Sequence, residues 1–265
     1  MEYFFWYKLT LSFLVGSAWI TLSTIIAERY GSKIGGLIGG LPSTAFISLL
    51  FIGITQTPLV ASEATTVIPL AQAFNGLFII AYILLVRRGI GVGLMGALLV
   101  WFFLASSLLA SGMIDFWISV IGWALLVLGC YLIVEKCMDV SSQGKVSVRY
   151  TSSQVIFRAL FGVIVIVFSV FMGKIGGPVY GGVFATFPAV FLSTLLITYR
   201  TGGAKFSQAV AKSLMVSGMI NVVIYAIAVR YLYIRTGLLY GTVIALAISA
   251  VSAYLTFMFM RAKLS

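Results

Sequence analysis

The sequence predicts an all-α polytopic membrane protein of about nine transmembrane helices, built as two inverted four-helix repeats joined by a linking helix. Three observations carry that prediction. Hydrophobic residues make up 62% of the chain and charged residues only 9%, against roughly 45–50% and about 25% in soluble domains. The apolar residues fall in runs near the length of about 20 residues that crosses a bilayer. The two halves of the chain also match one another at a constant offset. Across 265 residues these runs leave almost nothing for a soluble domain, so a functional site has to lie between helices.

In chain order the runs cover roughly 9–27, 37–55, 67–86, 90–111, 114–134, 155–173, 179–198, 210–229 and 238–260, each bounded by charges, glycines or polar clusters. The first is too long for a signal-peptide core and is flanked by Glu2 rather than a basic region, so it is expected to be retained. The second and seventh begin in Gly/Pro-rich stretches, GSKIGGLIGGLPST at 31–44 and GGPVYGGVFATFPAV at 176–190. The third contains Gln72 and Asn75, and the eighth contains Asn221. After the fifth comes the sizeable polar segment 135–154, EKCMDVSSQGKVSVRYTSSQ, which has no core-forming pattern and reads as a cytoplasmic linker. The division is therefore 1–112 for the first repeat, 113–154 for the linking helix and loop, and 155–265 for the second repeat.

An odd number of spans puts the termini on opposite sides, and basic residues choose the sides because Lys and Arg accumulate in cytoplasmic loops. One face collects Arg29, Lys33, Arg87, Arg88, Lys136, Lys145, Arg149, Arg158, Arg200, Lys205, Lys212, Arg261 and Lys263. The other keeps Lys8, Lys174, Arg230 and Arg235 with Glu2, Glu63 and Asp115. This places the amino terminus outside and the carboxyl terminus in the cytoplasm of a cell that carries the protein in its inner or plasma membrane. The net charge of +11 is spread over short loops rather than one tract, so it fits anionic lipid and topology rather than nucleic acid.

At an offset of 146, Gly16 pairs with Gly162, Gly31 with Gly177, Gly35 with Gly181, Gly36 with Gly182, Pro42 with Pro188, and Ser106 with Ser252. Asn75 pairs with Asn221, and these are the chain's only asparagines. Four helices plus a fifth make the second unit enter from the opposite side, the inverted-repeat plan of many transporters, whose site lies near mid-membrane. A partition into a five-helix unit and a truncated copy is also open.

Several residues are candidates for contacting a solute. Interrupted spans at corresponding places mark Pro42, Gly39 and Gly40 in the first half and Pro188, Gly181 and Gly182 in the second, where backbone amides and carbonyls come free. The competing reading of the glycines is close helix packing. Asn75 and Asn221 sit about 13 Å into a core of about 30 Å and are expected to face each other across a pseudo-two-fold axis. Each offers a donor and an acceptor without a buried charge. Interhelical bonding is their competing role. Gln72 lies one turn before Asn75, and Tyr180, Thr186, Ser193, Thr194, Ser43, Thr44 and Ser48 are further lining candidates.

Absences narrow the function. There is no His, there are six acidic residues and two cysteines, and no acid lies deep in a span. General acid–base catalysis and metal sites lack their usual groups, tight proton coupling lacks its carrier, and no nucleotide-binding loop is present. No enzyme activity and no cofactor are expected.

The stretch FRALFGVIVIVFSVF, followed by GGVFATFPAVFLSTLLITYRTGG with its Phe187-Pro188 step and its turn at Arg200 to Gly203, resembles the small four-helix GlpM-like/DUF3147 membrane proteins. The first half keeps Pro42 but has Leu41 in place of the Phe. The resemblance implies a duplicated, fused form and an architecture without a known substrate. The general plan is similar to that of small multidrug resistance and drug/metabolite transporters. The small multidrug group's acid in the first helix has no counterpart in 9–27, which speaks against polycation export. The leading expectation is a permease that moves a small polar or amphipathic solute by alternating access, without tight proton coupling. An anion-favouring channel and a membrane scaffold or accessory subunit are the alternatives. The bilayer and a small-molecule solute are the expected partners, and a homodimer is left open.

Overall fold

The computed structural model describes residues 2–29, 41–112, 115–136, 138 and 151–264. These form α1 (Glu2–Arg29), α2 (Ser43–Thr55), α3 (Pro58–Ala64), α4 (Ile68–Leu85) with a tight turn at Val86–Arg88, α5 (Ile90–Ala110), α6 (Phe116–Lys136), α7 (Ser152–Ile175), α8 (Pro178–Ala185), α9 (Ala189–Thr236) and α10 (Leu238–Leu264). The fold is all-α, as the composition requires. The glycines at 31, 35, 36, 39 and 40, Cys137 and residues 139–150 of the linker lie outside the described residues.

Seven helices are long and apolar enough to cross a membrane, judged by length and composition among the described residues. One of the seven is the 59-residue run Pro178–Thr236, and it is not a rod. Gly203 departs from helix at φ 74°, ψ −171°, a region open essentially to glycine alone. Beyond it Ser207 Oγ donates to Leu195 O at 3.0 Å, although a continuous helix would separate those residues by about 18 Å. The chain therefore folds back at Gly203 into two antiparallel limbs, 189–202 and 204–236. These match the seventh and eighth apolar runs. The second run contributes the shorter apolar helix α2.

Local chemistry explains the helix starts. Thr151 and Gln154 form a reciprocal capping box ahead of α7, and Asp115 Oδ1 accepts the Ile118 amide at 2.8 Å ahead of α6. Gly89 (φ 123°) and Gly237 (φ 77°) open α5 and α10, and each is followed four residues later by a glycine pressed on the preceding helix. A Cβ at Gly93 would sit 2.9 Å from Val86 Cα, and one at Gly241 3.2 Å from the Leu232 carbonyl carbon. These matching corners are 148 residues apart, not 146. Two more residues separate Asn221 from Gly237 than Asn75 from Gly89, which shifts the local correspondence of the fourth helices away from the Ser106/Ser252 register.

Small residues hold the helices together where lipid supplies no hydrophobic drive. At the α1–α7 crossing, a Cβ at Gly16 would meet Ile166 at 3.0 Å and one at Gly162 would meet Ile20 at 2.6 Å, so each glycine receives the isoleucine four residues beyond the other. Helix α4 runs antiparallel to the second limb of α9, and it and the turn before it are bonded to that limb at three levels. Arg230 Nη1 donates to Thr66 Oγ1 at 2.9 Å, Gln72 Nε2 donates to Gly218 O at 3.0 Å, and Gln208 Nε2 donates to Ile83 O at 2.8 Å. Beside the last, the hydroxyls of Tyr82 and Ser207 lie 2.6 Å apart. From Gln208 to Arg230 the helix rises about 33 Å, near the thickness of a bilayer core, and Gln72 meets Gly218 close to the middle.

Candidate functional site

Two helix starts in the interior share one backbone design. Pro42 (φ −76°, ψ 57°) precedes α2 and Pro188 (φ −74°, ψ 41°) precedes α9. Around each proline the chain makes an inverse γ-turn, with the Ser43 amide donating to Leu41 O at 2.8 Å and the Ala189 amide to Phe187 O at 2.7 Å. The first helical bond then returns to the proline carbonyl, from Phe46 at 2.7 Å and from Leu192 at 2.8 Å. Neither start carries a side-chain cap. With the Ser43 and Ala189 amides held in the γ-turns, each start presents the other amides of its first turn and the positive end of its dipole.

Both starts border one cavity of about 50 Å³, which extends from Leu41–Ala45 to Ala185–Pro188, Val190 and Phe191 and is walled by Gln72, Asn75, Gly218 and Val222. A relay of amides runs along its wall. Gln72 donates to Gly218 O, and its Oε1 accepts from Asn75 Nδ2 at 3.2 Å. The other hydrogen of Asn75 Nδ2 goes to Thr186 O at 3.0 Å, on the second break. Both hydrogens of that amide are then used, and its oxygen, Oδ1, is buried with no hydrogen-bond partner. The space suits a few water-sized groups and lies far below the roughly 300–1,000 Å³ of drug-sized pockets.

Of the residues singled out from the sequence, Pro42, Gln72, Asn75, Thr186 and Pro188 border the cavity, together with Ser43 and Thr44. Gly39 and Gly40 lie outside the described residues. Gly181 and Gly182 serve packing instead: a Cβ at Gly181 would stand 2.9 Å from Gly173 Cα, and one at Gly182 2.0 Å from Ala64 O. Tyr180 is exposed and lies against Gly176. Asn221 does not share the cavity and does not face Asn75. It is fully buried against α10, where Oδ1 accepts from Ser252 at 2.9 Å and its carbonyl from Ser249 at 3.2 Å, while Nδ2 has no partner. The physical reason is angular: on the α9 limb Val222 turns to the cavity, and Asn221, one position earlier and about 100° round the helix, turns to the two serines. Ser193 bonds back to Val190 O at 3.1 Å, and Thr194 accepts from half-buried Arg158 at 2.6 Å.

Sequence reasoning did not single out Phe187, Phe191 and Gly218 as walls. The Phe-Pro step points to the first, and the offset of 146 from Gln72 points to the last. Behind them Trp101, fully buried, meets the Phe187 ring at 5.1 Å. Among the described residues no three of His, Cys, Asp and Glu gather into a group that would hold a metal ion.

Residues 155–262 match the family model described as "Protein of unknown function (DUF3147)". No curated protein and no solved structure matches the chain. The matched segment contains the Pro188 break, Gly218 and Asn221, whereas Gln72, Asn75 and the Pro42 break come from the other half. The similarity to the DUF3147 family thus covers the part of the chain from within α7 to within α10.

Proposed function

We propose that the protein is a permease that moves a small polar solute across a cell membrane by alternating access, with the cavity as its midpoint. One observation carries the reading: two proline-broken, uncapped helix starts from different halves of the chain converge with Gln72 and Asn75 at about mid-depth. In a bilayer, backbone leaves helical form only where it is buried in protein or lines a cavity. Broken helices in two halves are the arrangement transporters use for binding. The inverted-repeat reading is supported by the reciprocal Gly16–Ile166 and Gly162–Ile20 contacts, by the two like γ-turns, and by Gln72 bonding the residue 146 positions away. With nine crossings, the amino terminus stands outside and the carboxyl terminus in the cytoplasm. With no carboxylate among the described residues of the cavity wall, movement is by facilitated diffusion or loosely coupled exchange.

The test is solute counterflow in liposomes holding the purified protein, with a panel of neutral, anionic and cationic solutes. Saturable counterflow that falls at least several-fold in Asn75→Ala supports the permease. Unitary currents without saturation favour an anion channel, a second reading that the two uncapped helix ends favour. Absence of both leaves a scaffold.

A further inference from the structure

We infer that the cavity recognises a small carboxylate that carries its own hydrogen-bond donor on the neighbouring carbon, the chemistry shared by α-hydroxy and α-amino acids. This rests on the permease reading and names its solute class. The wall has two kinds of unpaired group, and they ask for opposite things. The amide ends of α2 and α9 carry no side-chain cap, and among the described residues no Asp or Glu borders them. Two helix amino-termini directed at one space attract negative charge and offer N–H donors to oxygens. Asn75 is 2% exposed and borders the same space, and its Oδ1 has no partner. The hydrogens of Nδ2 are committed to Gln72 and Thr186, so the carboxamide is held with its oxygen as the acceptor. A bare anion would satisfy the helix ends and leave that oxygen unpaired beside a like-charged group. A simple amine would satisfy the oxygen and be repelled by both dipoles. A carboxylate with an adjacent O–H or N–H answers both at once, and at about 50 Å³ the space admits only the smallest of them without opening.

Three probes separate the contributions: glycolate, acetate, which lacks only the hydroxyl, and glycolamide, in which an uncharged amide with an N–H donor replaces the carboxylate. Each is used as competitor and as substrate in counterflow of labelled glycolate. Glycolate should be preferred over acetate roughly three- to tenfold, the value of one hydrogen bond, and glycolamide should compete more weakly still. This ratio is read first in the unaltered protein and needs no variant. Asn75→Ala should then bring glycolate and acetate together while both remain ahead of glycolamide. Equal handling of glycolate and acetate in the unaltered protein, or glycolamide ahead of glycolate, overturns the inference. Counterflow of another solute with neither glycolate nor glycine overturns it and leaves the permease standing. No counterflow of any solute in a wide panel removes the permease and the solute class together.

Discussion

Gln72 and Gly218 stand 146 residues apart in the chain and are joined by a hydrogen bond of 3.0 Å from the side-chain amide to the backbone carbonyl. Under a two-fold arrangement, a residue that touches its own counterpart lies at the axis. On the proposed repeat the contact joins counterpart positions of the two halves, and it forms one wall of the cavity. Gln72→Leu removes the donor and also the acceptor of Asn75 Nδ2. The expected loss of stability is about 1 kcal/mol, since interhelical polar bonds in membranes average well under 2 kcal/mol. A double-mutant cycle with Asn75→Ala, followed by reversible unfolding in mixed micelles, should give a coupling of about 0.5 kcal/mol or more. Strict additivity would contradict the relay.

Gly218 also sets the position of Phe191. A Cβ there would come 2.7 Å from the end of the Phe191 ring, which borders the cavity. In Gly218→Ala the ring is pressed out of place, and counterflow should fall at least threefold with a stability cost of about 1 kcal/mol. Adding Phe191→Leu should restore part of the rate. No recovery would mean that the glycine acts elsewhere.

At Gly182 the clash is with backbone, a Cβ 2.0 Å from Ala64 O, and no rotamer relieves it. Gly182→Ala should force α8 and α3 apart and cost about 2 kcal/mol or more, read as loss of monodisperse protein on gel filtration. Gly129→Ala, with nothing within 4 Å, should leave the profile unchanged.

The fold-back at Gly203 has a backbone cause separable from packing. Its φ of 74° is strained for any side chain, and no atom lies within 4 Å of an added Cβ. Gly203→Ala should therefore destabilise by about 1–3 kcal/mol. Gly91→Ala, a helical glycine with equally open surroundings, should not. Equal melting temperatures for the two variants would argue against the hairpin.

Orientation is open to direct test. With Cys130 and Cys137 replaced by Ala, an impermeant maleimide added outside intact cells should label Asp115→Cys and not Lys205→Cys. The reverse pattern would invert the topology. The ion pair of Lys212 with Glu135 at 2.7 Å ties α6 to the second limb of α9. With Glu135 46% exposed, Lys212→Ala should cost less than about 1 kcal/mol.

The sequence by itself determined the helices and the places where they break. Apolar length has only one solution in lipid, a helix with its backbone bonds satisfied internally, and proline and glycine at 42, 188 and 203 stop that helix for reasons that belong to their own covalent structure. Gln72, Asn75 and Thr186 were legible as polar candidates because a polar group is costly in that environment. Only the tertiary structure decided which candidates meet. Gly181 and Gly182 pack rather than bind because α8 happens to cross Gly173 and Ala64. Asn221 turns to the α10 serines although its mate Asn75 turns to the cavity, because a rotation of one position around a helix changes the neighbour and leaves the sequence pattern untouched. Composition and periodicity report depth and spacing along each helix. The direction a side chain takes around that helix is set by the partner packed against it.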